Sequence, residues 1–106
     1  MLKFEINLDP EAVHDMNNIW KYIARDSERY ANETQNAIED SINRLTGDPN
    51  IGLEEPLLKK YKLGHRYIVY SHYKIIYRIH QDQIFVSTIF DTRQKPSKLK
   101  KTVKKS

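Results

Sequence analysis

Residues 65–93 read HRYIVYSHYKIIYRIHQDQIFVSTIFDTR, and this stretch decides the fold. It contains three runs rich in β-branched and aromatic residues, which are His65–Tyr70, Tyr73–His80 and Ile84–Phe90. The joins between these runs are short, namely Ser71-His72 and Gln81-Asp82-Gln83. Because joins of this length suit hairpin turns, the stretch predicts a three-stranded antiparallel meander.

The middle run has the clearest alternation of side chains. One face carries Tyr73, Ile75, Tyr77 and Ile79, and the other carries Lys74, Ile76, Arg78 and His80. We expect the first face to pack against helices, with its two tyrosines in the core rather than stacked on nucleic-acid bases. In the last run the alternation is weaker, and we place Ile84, Val86, Thr88 and Phe90 inward. This choice puts Phe85, Ser87, Ile89, Asp91 and Arg93 on the second face.

One strand and two helices are predicted before the meander. Residues 2–8 alternate between apolar and polar side chains, which is typical of a strand with one buried face. Asp9-Pro10-Glu11 combines a helix N-cap, a first-turn proline and a first-turn acid, so a helix should begin here and end near Arg25-Asp26. Asp26 or Ser27 can cap a second helix, which should end before Gly47.

Apolar residues recur at helical spacing in both segments, which predicts an amphipathic helical hairpin laid on the sheet. Trp20 lies in the first apolar stripe, and we expect it in the core. The segment Gly47–Gly64 contains glycine, proline and several lysines, and we interpret it as a loop.

These elements define an α+β protein: an N-terminal strand, a helical hairpin and a three-stranded antiparallel meander, with the helices packed on one face of the sheet. Residues 1–93 should form a single domain, because 106 residues suit one ordinary core. Residues 94–106 form a basic, lysine-rich tail whose order the sequence leaves open. The chain has no cysteine, and its four histidines lack metal-ligand spacing, so we expect no disulfide, metal or other cofactor.

The net charge of +4 hides a strong asymmetry along the chain. Residues 1–55 carry 5 Lys/Arg and 12 Asp/Glu, whereas residues 56–106 carry 13 and 2, so the two halves have net charges of −7 and +11. A positive C-terminal half suits a polyanion or an acidic protein partner, although a lysine-rich tail can also serve solubility alone. Residues 1–6 lack the unbroken apolar stretch that a signal peptide needs, and no later run approaches the length of a membrane span. We therefore expect a soluble, cytoplasmic protein without a membrane partner.

Three motifs resemble the RelE/ParE superfamily of toxins from type II toxin–antitoxin systems. Tyr73–Ile79 is similar to its "Tyr-Arg-Ile-Ile-Tyr-x-Ile" third strand, with Lys74 in place of the commoner arginine. Leu63-Gly64-His65-Arg66 resembles the entry to its second strand. Ile89–Pro96 is similar to the end of the fourth strand in the ParE-like "plasmid stabilisation" subgroup. The order of elements agrees over residues 2–96.

This resemblance implies a toxin without a cofactor that inhibits growth. A ParE-like member would be a binding toxin, not an enzyme, that poisons DNA gyrase and blocks replication. A RelE-like member would be a metal-independent endoribonuclease that cleaves mRNA on the ribosome. RelE-like nucleases usually have a tyrosine, or a histidine with tyrosine, just after the fourth strand, where this chain has residues 94–98, Gln-Lys-Pro-Ser-Lys. A nuclease would therefore have to recruit His72, His80 or Tyr77, so we favour the gyrase-directed activity. A third alternative is a non-toxic, degenerate homologue or nucleic-acid-binding protein.

Cationic side chains are the candidates for target binding, since a phosphate-binding face needs positive charge. They are Lys59, Lys60, Lys62, Arg66, Lys74, Arg78, Arg93 and Lys95. In the nuclease alternative, Arg66, Lys74, Arg78 and Arg93 would be the catalytic residues. The simpler interpretation of all of them is a set of solvated surface charges.

A basic toxin of this superfamily also implies an acidic antitoxin, whose partly disordered chain wraps the fold and orders on binding. The two proteins would form a hetero-oligomer. Candidate antitoxin contacts are Leu53, Leu57, Leu58 and Arg93. The three leucines have an alternative role, which is to tether their loop to the core.

Overall fold

The computed structural model describes residues 3–99, and in this range it contains two α-helices and five strands. The helices are α1 (Pro10–Ala24) and α2 (Glu28–Asn43). The strands are β1 (Glu5–Leu8), β2 (Leu53–Glu54), β3 (Arg66–Tyr70), β4 (Tyr73–His80) and β5 (Gln83–Asp91). Two 3₁₀ helices cover Arg44–Thr46 and Pro56–Tyr61, and residues 96–99 are helical. Residue 2 of the predicted first strand and residues 100–106 of the predicted tail lie outside the described residues.

The α+β class is confirmed, and all five strands form one mixed sheet in the order β1-β5-β4-β3-β2. Strands β3, β4 and β5 form the predicted antiparallel meander. Strand β1 pairs in parallel with β5. In the chain the helical hairpin follows β1, so the connection from β1 to the rest of the sheet is long enough for a parallel pairing. The two hairpin turns begin with Ser71 (φ 56°) and Gln81 (φ 57°), which adopt the left-handed conformation that such turns require.

The two helices begin where the sequence predicts, and their N-terminal caps differ from each other. Pro10 occupies the first turn of α1, where its missing N–H costs nothing. Asp9 is the N-cap residue of α1, as predicted, and has the extended backbone of that position, but its side chain makes no capping hydrogen bond. At α2 the Ser27 hydroxyl accepts a hydrogen bond from the Tyr30 N–H at 3.1 Å, so Ser27 is the cap.

The main core lies between the helical hairpin and one face of the sheet, as the alternation in β4 predicts. Its fully or largely buried members include Ala12, Met16, Ile38, Ile42, Tyr73, Ile75, Tyr77, Ile84, Val86 and Ile89. The prediction that Trp20 belongs to this core is wrong. Its side chain is only half-buried, and its indole N–H donates to Asn32 Oδ1 at 2.8 Å, which links α1 to α2 near the surface.

The predicted side-chain directions in β5 are correct only in its first half, because a β-bulge interrupts the strand. Thr88 pairs with Ile76 and Val86 pairs with Tyr77, which leaves Ser87 as an extra residue. Beyond this residue the alternation reverses. Ile89 and Asp91, which we placed on the second face, therefore lie on the side of the helices, with Ile89 in the main core. Thr88 and Phe90, which we placed inward, lie on the opposite face.

The face of the sheet that points away from the helical hairpin, called the second face here, carries a smaller core. It consists of Leu58, Ile76, Phe90 and Leu99, with Leu57, Tyr61 and Tyr67 packed against it. The segment Gly47–Gly64 is thus not simply a loop. It contains strand β2 and the 3₁₀ helix Pro56–Tyr61, whose residue Leu58 has no exposed surface.

Tyr77 ties the segment before β2 to the centre of the sheet. Its fully buried hydroxyl donates to the Pro49 carbonyl at 2.7 Å and accepts from the Gly52 N–H at 2.9 Å. Gly52 must be glycine here, since a Cβ atom would overlap the Tyr77 hydroxyl and come within 2.8 Å of the Tyr67 carbonyl oxygen. One phenol therefore satisfies two backbone groups that would otherwise be buried without partners.

We expect Tyr77→Phe to lower the free energy of unfolding by about 2 to 4 kcal/mol, because it leaves a buried carbonyl and a buried N–H unpaired. Urea denaturation of the purified chain measures this loss. Tyr22→Phe is the matched control: Tyr22 is 62% exposed, and we expect a change of less than about 0.5 kcal/mol. Equal stability of the two variants would contradict the anchoring role of Tyr77.

Candidate functional site

The four cations proposed for phosphate chemistry point to two sides of the sheet. Lys74 and Arg78 lie on the second face, where the Lys74 Nζ atom is 4.2 Å from the Tyr67 ring centroid. The Arg78 guanidinium lies 4.6 Å above the ring of Phe85. Both cations are therefore in contact with aromatic rings of the same sheet, which stabilises them where they stand.

Lys74 also makes a buried ion pair, since its Nζ atom donates to Glu55 Oε2 at 2.9 Å. The Glu55 side chain has no exposed surface, and that of Lys74 is 25% exposed. The other carboxylate oxygen of Glu55 accepts from the Leu57 N–H at 3.4 Å, at the start of the 3₁₀ helix Pro56–Tyr61. The pair thus fastens this helix to strand β4.

Arg66 and Arg93 lie on the side of the helices. Arg66 donates from Nη1 to the Gly52 carbonyl at 2.8 Å. Arg93 binds both carboxylate oxygens of Asp91, at 3.0 Å from Nε and 2.7 Å from Nη2, and this contact lowers the pKa of Asp91. Arg66 on β3 is level with Tyr77, and Asp91 on β5 is level with Tyr73, four residues away along the intervening strand β4. The two arginines are therefore anchored about 16 Å apart.

Five exposed lysines form a second cationic group, which we call the lysine surface. They are Lys59, Lys60 and Lys62 around the 3₁₀ helix Pro56–Tyr61, with Lys95 and Lys98 at the start of the C-terminal segment. Leu58 and Leu99 belong to the same core on the second face, so the two segments lie on the same side of the sheet. Leu57, Pro96 and Leu99 line one small cavity between them, with Lys74 at its wall.

A groove runs between the helical hairpin and the ends of β4 and β5. Two adjoining cavities of about 380 and 200 Å³ share Tyr22, Tyr73 and Arg93 as lining residues. Tyr30 lines the smaller cavity, and we call the groove around these four residues the tyrosine groove. Tyr22 and Tyr30 are 62% and 58% exposed, so the groove offers aromatic surface beside an arginine.

Asp15 lies at the floor of the groove and fills a gap in the sheet. Strand β1 pairs with β5 only as far as Val86, and beyond it the Asp15 carboxylate accepts hydrogen bonds from the Ile89 N–H at 2.9 Å and from the Thr88 hydroxyl. Burial raises the pKa of this carboxyl group, against the opposing effect of the two hydrogen bonds. Asp15, Tyr22 and Tyr30 were not among the predicted site residues. In the sequence, the available signal was Tyr22, an aromatic residue off the apolar stripe of α1.

The side chains that a nuclease would recruit as acid or base are His72, His80 and Tyr77, and they differ in burial. The Tyr77 hydroxyl is buried and hydrogen-bonded, and burial raises its pKa. The His72 Nδ1 atom is 3.2 Å from the Ser71 hydroxyl, and His80 is exposed at the end of β4. His65 is buried on the second face, where burial and the charge of Arg78 lower its pKa. Residues 3–99 hold no group of three possible metal ligands among His, Cys, Asp and Glu.

The three leucines and the arginine that we expected to contact an antitoxin differ widely in exposure. Leu53 is 65% exposed on the edge strand β2, and Leu57 is half-buried. Leu58, which we expected to be accessible, is fully buried in the second-face core and offers no anchor in the isolated chain. The Arg93 side chain is 60% exposed at the tyrosine groove.

Comparison with solved structures shows the same arrangement of elements in another protein. A structure described as "Chromosomal ParDE TA system from P. aeruginosa" aligns with a TM-score of 0.69 and 16% sequence identity, covering 84% of this chain and 96% of that chain. At this identity the match shows the fold. No curated protein matches the sequence.

The sequence itself defines the class more closely. Residues 6–96 match the family described as "ParE toxin of type II toxin-antitoxin system, parDE". The chain therefore belongs to the ParE toxin family, which confirms the resemblance. No helix within residues 3–99 is long and apolar enough to cross a membrane.

We expect Lys74→Met to lower the free energy of unfolding by at least about 2 kcal/mol, because it leaves the buried Glu55 carboxylate without a counter-charge. The double variant Lys74→Met/Glu55→Gln should recover to within about 1 kcal/mol of the parent, since it removes both charges. Lys59→Met is the matched control, as Lys59 faces Glu54 at 3.9 Å in an exposed pair, and its loss should be less than about 0.5 kcal/mol. Urea denaturation at neutral pH measures all three. A single variant as stable as the control would mean that the pair does not fasten the 3₁₀ helix.

Proposed function

We propose that this ParE-family chain inhibits growth by poisoning DNA gyrase and blocking replication. Family membership supports this activity, and so does the disposition of the four candidate catalytic cations. Lys74 and Arg78 are held on one side of the sheet and Arg66 and Arg93 on the other. A side-chain set that cleaves RNA would have to surround a single phosphate, so this separation is the observation on which the proposal depends.

The pKa shifts of two buried tyrosines favour the same conclusion. Proton transfer at neutral pH is most effective when the pKa of the group lies near the working pH. Burial moves the pKa of Tyr77 and of Tyr73 upward, away from that range. A binding toxin needs no such group, because it acts by holding its target in an inactive state.

We also propose that an acidic antitoxin neutralises the chain by covering the tyrosine groove. Exposed tyrosines beside an arginine are the residue types that carry most of the energy of protein interfaces. Arg93 uses its Nε and Nη2 atoms for Asp91 and has five N–H donors in all, so it keeps donors for a carboxylate of a partner. Leu53 on the edge strand lies three strands away from β5, about 14 Å, and would be a separate anchor for a chain that wraps the sheet.

Induction of the gene in a bacterium should stop DNA synthesis before protein synthesis and leave mRNA intact. The purified chain should inhibit DNA supercoiling by gyrase. Pulse labelling of both syntheses and a gel assay of plasmid topology measure these effects. We expect the triple variant Lys59→Glu/Lys60→Glu/Lys62→Glu to restore growth, since it reverses the charge of the lysine surface without touching the core. The matched variant Lys21→Glu/Arg29→Glu/Arg44→Glu, with the same charge change on the helical hairpin, should still inhibit.

The competing function predicts the reverse order of events. Early arrest of translation, with mRNA cut inside reading frames and gyrase unaffected, would overturn the gyrase proposal in favour of the ribosome-dependent nuclease. Full growth of cells that contain the folded chain would point to a degenerate, non-toxic homologue.

The antitoxin proposal is tested by co-purification with the acidic product of the adjacent gene. Arg93→Glu should weaken the complex at least tenfold, because it places a carboxylate beside Asp91 at the tyrosine groove. Arg29→Glu is the matched control: Arg29 is also exposed and also paired with a nearby carboxylate, that of Glu33. Isothermal titration calorimetry compares the two. Equal affinities would place the antitoxin elsewhere, and the absence of any complex would reject this partner.

A further inference from the structure

The positive charge of the lysine surface is not needed to hold its segments on the sheet. The 3₁₀ helix Pro56–Tyr61 is held by Leu58 in the second-face core and by the Glu55–Lys74 pair at its start. Lys59, Lys60 and Lys62 take no part in either contact and are exposed to solvent. Lys60 lies 5.3 Å from the ring of Tyr61, which leaves its ammonium group on the surface. The charges are therefore available to a partner.

Few acidic groups offset this charge. Glu54 faces Lys59 at 3.9 Å, and Glu55 is already neutralised by Lys74. From residue 56 onward the chain has only two acids, Asp82 and Asp91. Asp91 is bound to Arg93 on the side of the helices, and Asp82 lies in the turn between β4 and β5. Glu54 therefore offsets Lys59, and Lys98 lines a cavity that also holds the carboxylates of Glu11, Asp15 and Asp91. Within residues 3–99, Lys60, Lys62 and Lys95 form no ion pair and keep a positive field.

We infer that the lysine surface binds the phosphate backbone of duplex DNA, so that the toxin contacts the DNA held by its target as well as the target protein. This inference rests on the proposed function, because gyrase is an enzyme that holds duplex DNA. The second-face core is what brings the lysines of two distant segments to one surface. Leu58 positions the first three and Leu99 positions Lys95 and Lys98.

The dimensions and chemistry of the surface fit a backbone contact without base reading. A 3₁₀ helix of six residues is about 12 Å long, and duplex DNA carries about seven phosphate charges over that length. Lysine is a flexible point charge, which suits phosphates and carries little sequence information. The arginine of this face, Arg78, lies over Phe85. We therefore expect binding that depends on salt and hardly on sequence.

The test is direct binding of the full chain to a fluorescent DNA duplex of about 30 base pairs, without gyrase, by anisotropy at several salt concentrations. The variant Lys59→Gln/Lys60→Gln/Lys62→Gln should lose at least tenfold in affinity at low salt. The slope of log affinity against log salt should become shallower by about 2 to 3. Lys95→Gln/Lys98→Gln should reduce the slope by about 1 to 2, because both segments belong to one surface.

The matched control is Lys21→Gln/Arg29→Gln/Arg44→Gln, which removes the same charge from exposed positions of α1, α2 and the 3₁₀ helix Arg44–Thr46, across the sheet. It should retain the parent slope. An equal loss in the control would mean that net charge alone drives binding, and the inference would fail. Tighter binding of single-stranded RNA of the same length would also overturn it, in favour of RNA as the ligand. All variants change exposed side chains, and thermal unfolding at the parent temperature verifies their fold.

The outcome separates this inference from the proposed function. A chain that inhibits gyrase but does not bind DNA in this assay would disprove the inference and leave the function standing. A chain that binds DNA through the lysine surface but leaves gyrase active would support the inference and disprove the function.

Discussion

Strand β4 carries apolar side chains on both of its faces, so both faces must be covered. Ile75 and Tyr77 face the helical hairpin, and Ile76 faces the other way, each without exposed surface. Two helices cover the first face, whereas the second is covered by short segments, the 3₁₀ helix Pro56–Tyr61 and the helical residues 96–99. Water would otherwise meet the apolar surface of Ile76 and Phe90, so burial of these side chains dictates where the basic segments of the chain lie.

The sequence predicts the fold well wherever side chains alternate strongly. In β4 the alternation identifies both faces, and Pro10 and Ser27 mark the helix starts. It fails in β5, because residues 84–90 place apolar side chains at neighbouring positions, and either parity is plausible until the bulge at Ser87 is seen. Strand β2 is missed because two residues are too short to show a period. The role of Leu99 is hidden inside a lysine-rich stretch.

The cationic residues of the candidate site were predictable from the sequence, but their geometry and the groove residues Asp15, Tyr22 and Tyr30 were not. Basic residues after position 56 are evident from the sequence, whereas their distribution over two sides of the sheet depends on the bulge and on long-range pairing. Lys74 illustrates the difference. The sequence motif predicts that Lys74 is free to bind phosphate. In the structure its ammonium group is paired with Glu55, a residue 19 positions earlier that no local pattern connects to it.

The second-face core separates two properties that often conflict in binding proteins. Leu58 and Leu99 hold the backbone of their segments against the sheet, whereas the lysines beside them are exposed and take no part in that packing. Substitutions at those exposed positions can therefore raise or lower the positive charge in single steps at almost no cost in stability. A lineage carrying this fold can change the charge of this surface without losing the packing that keeps the chain folded.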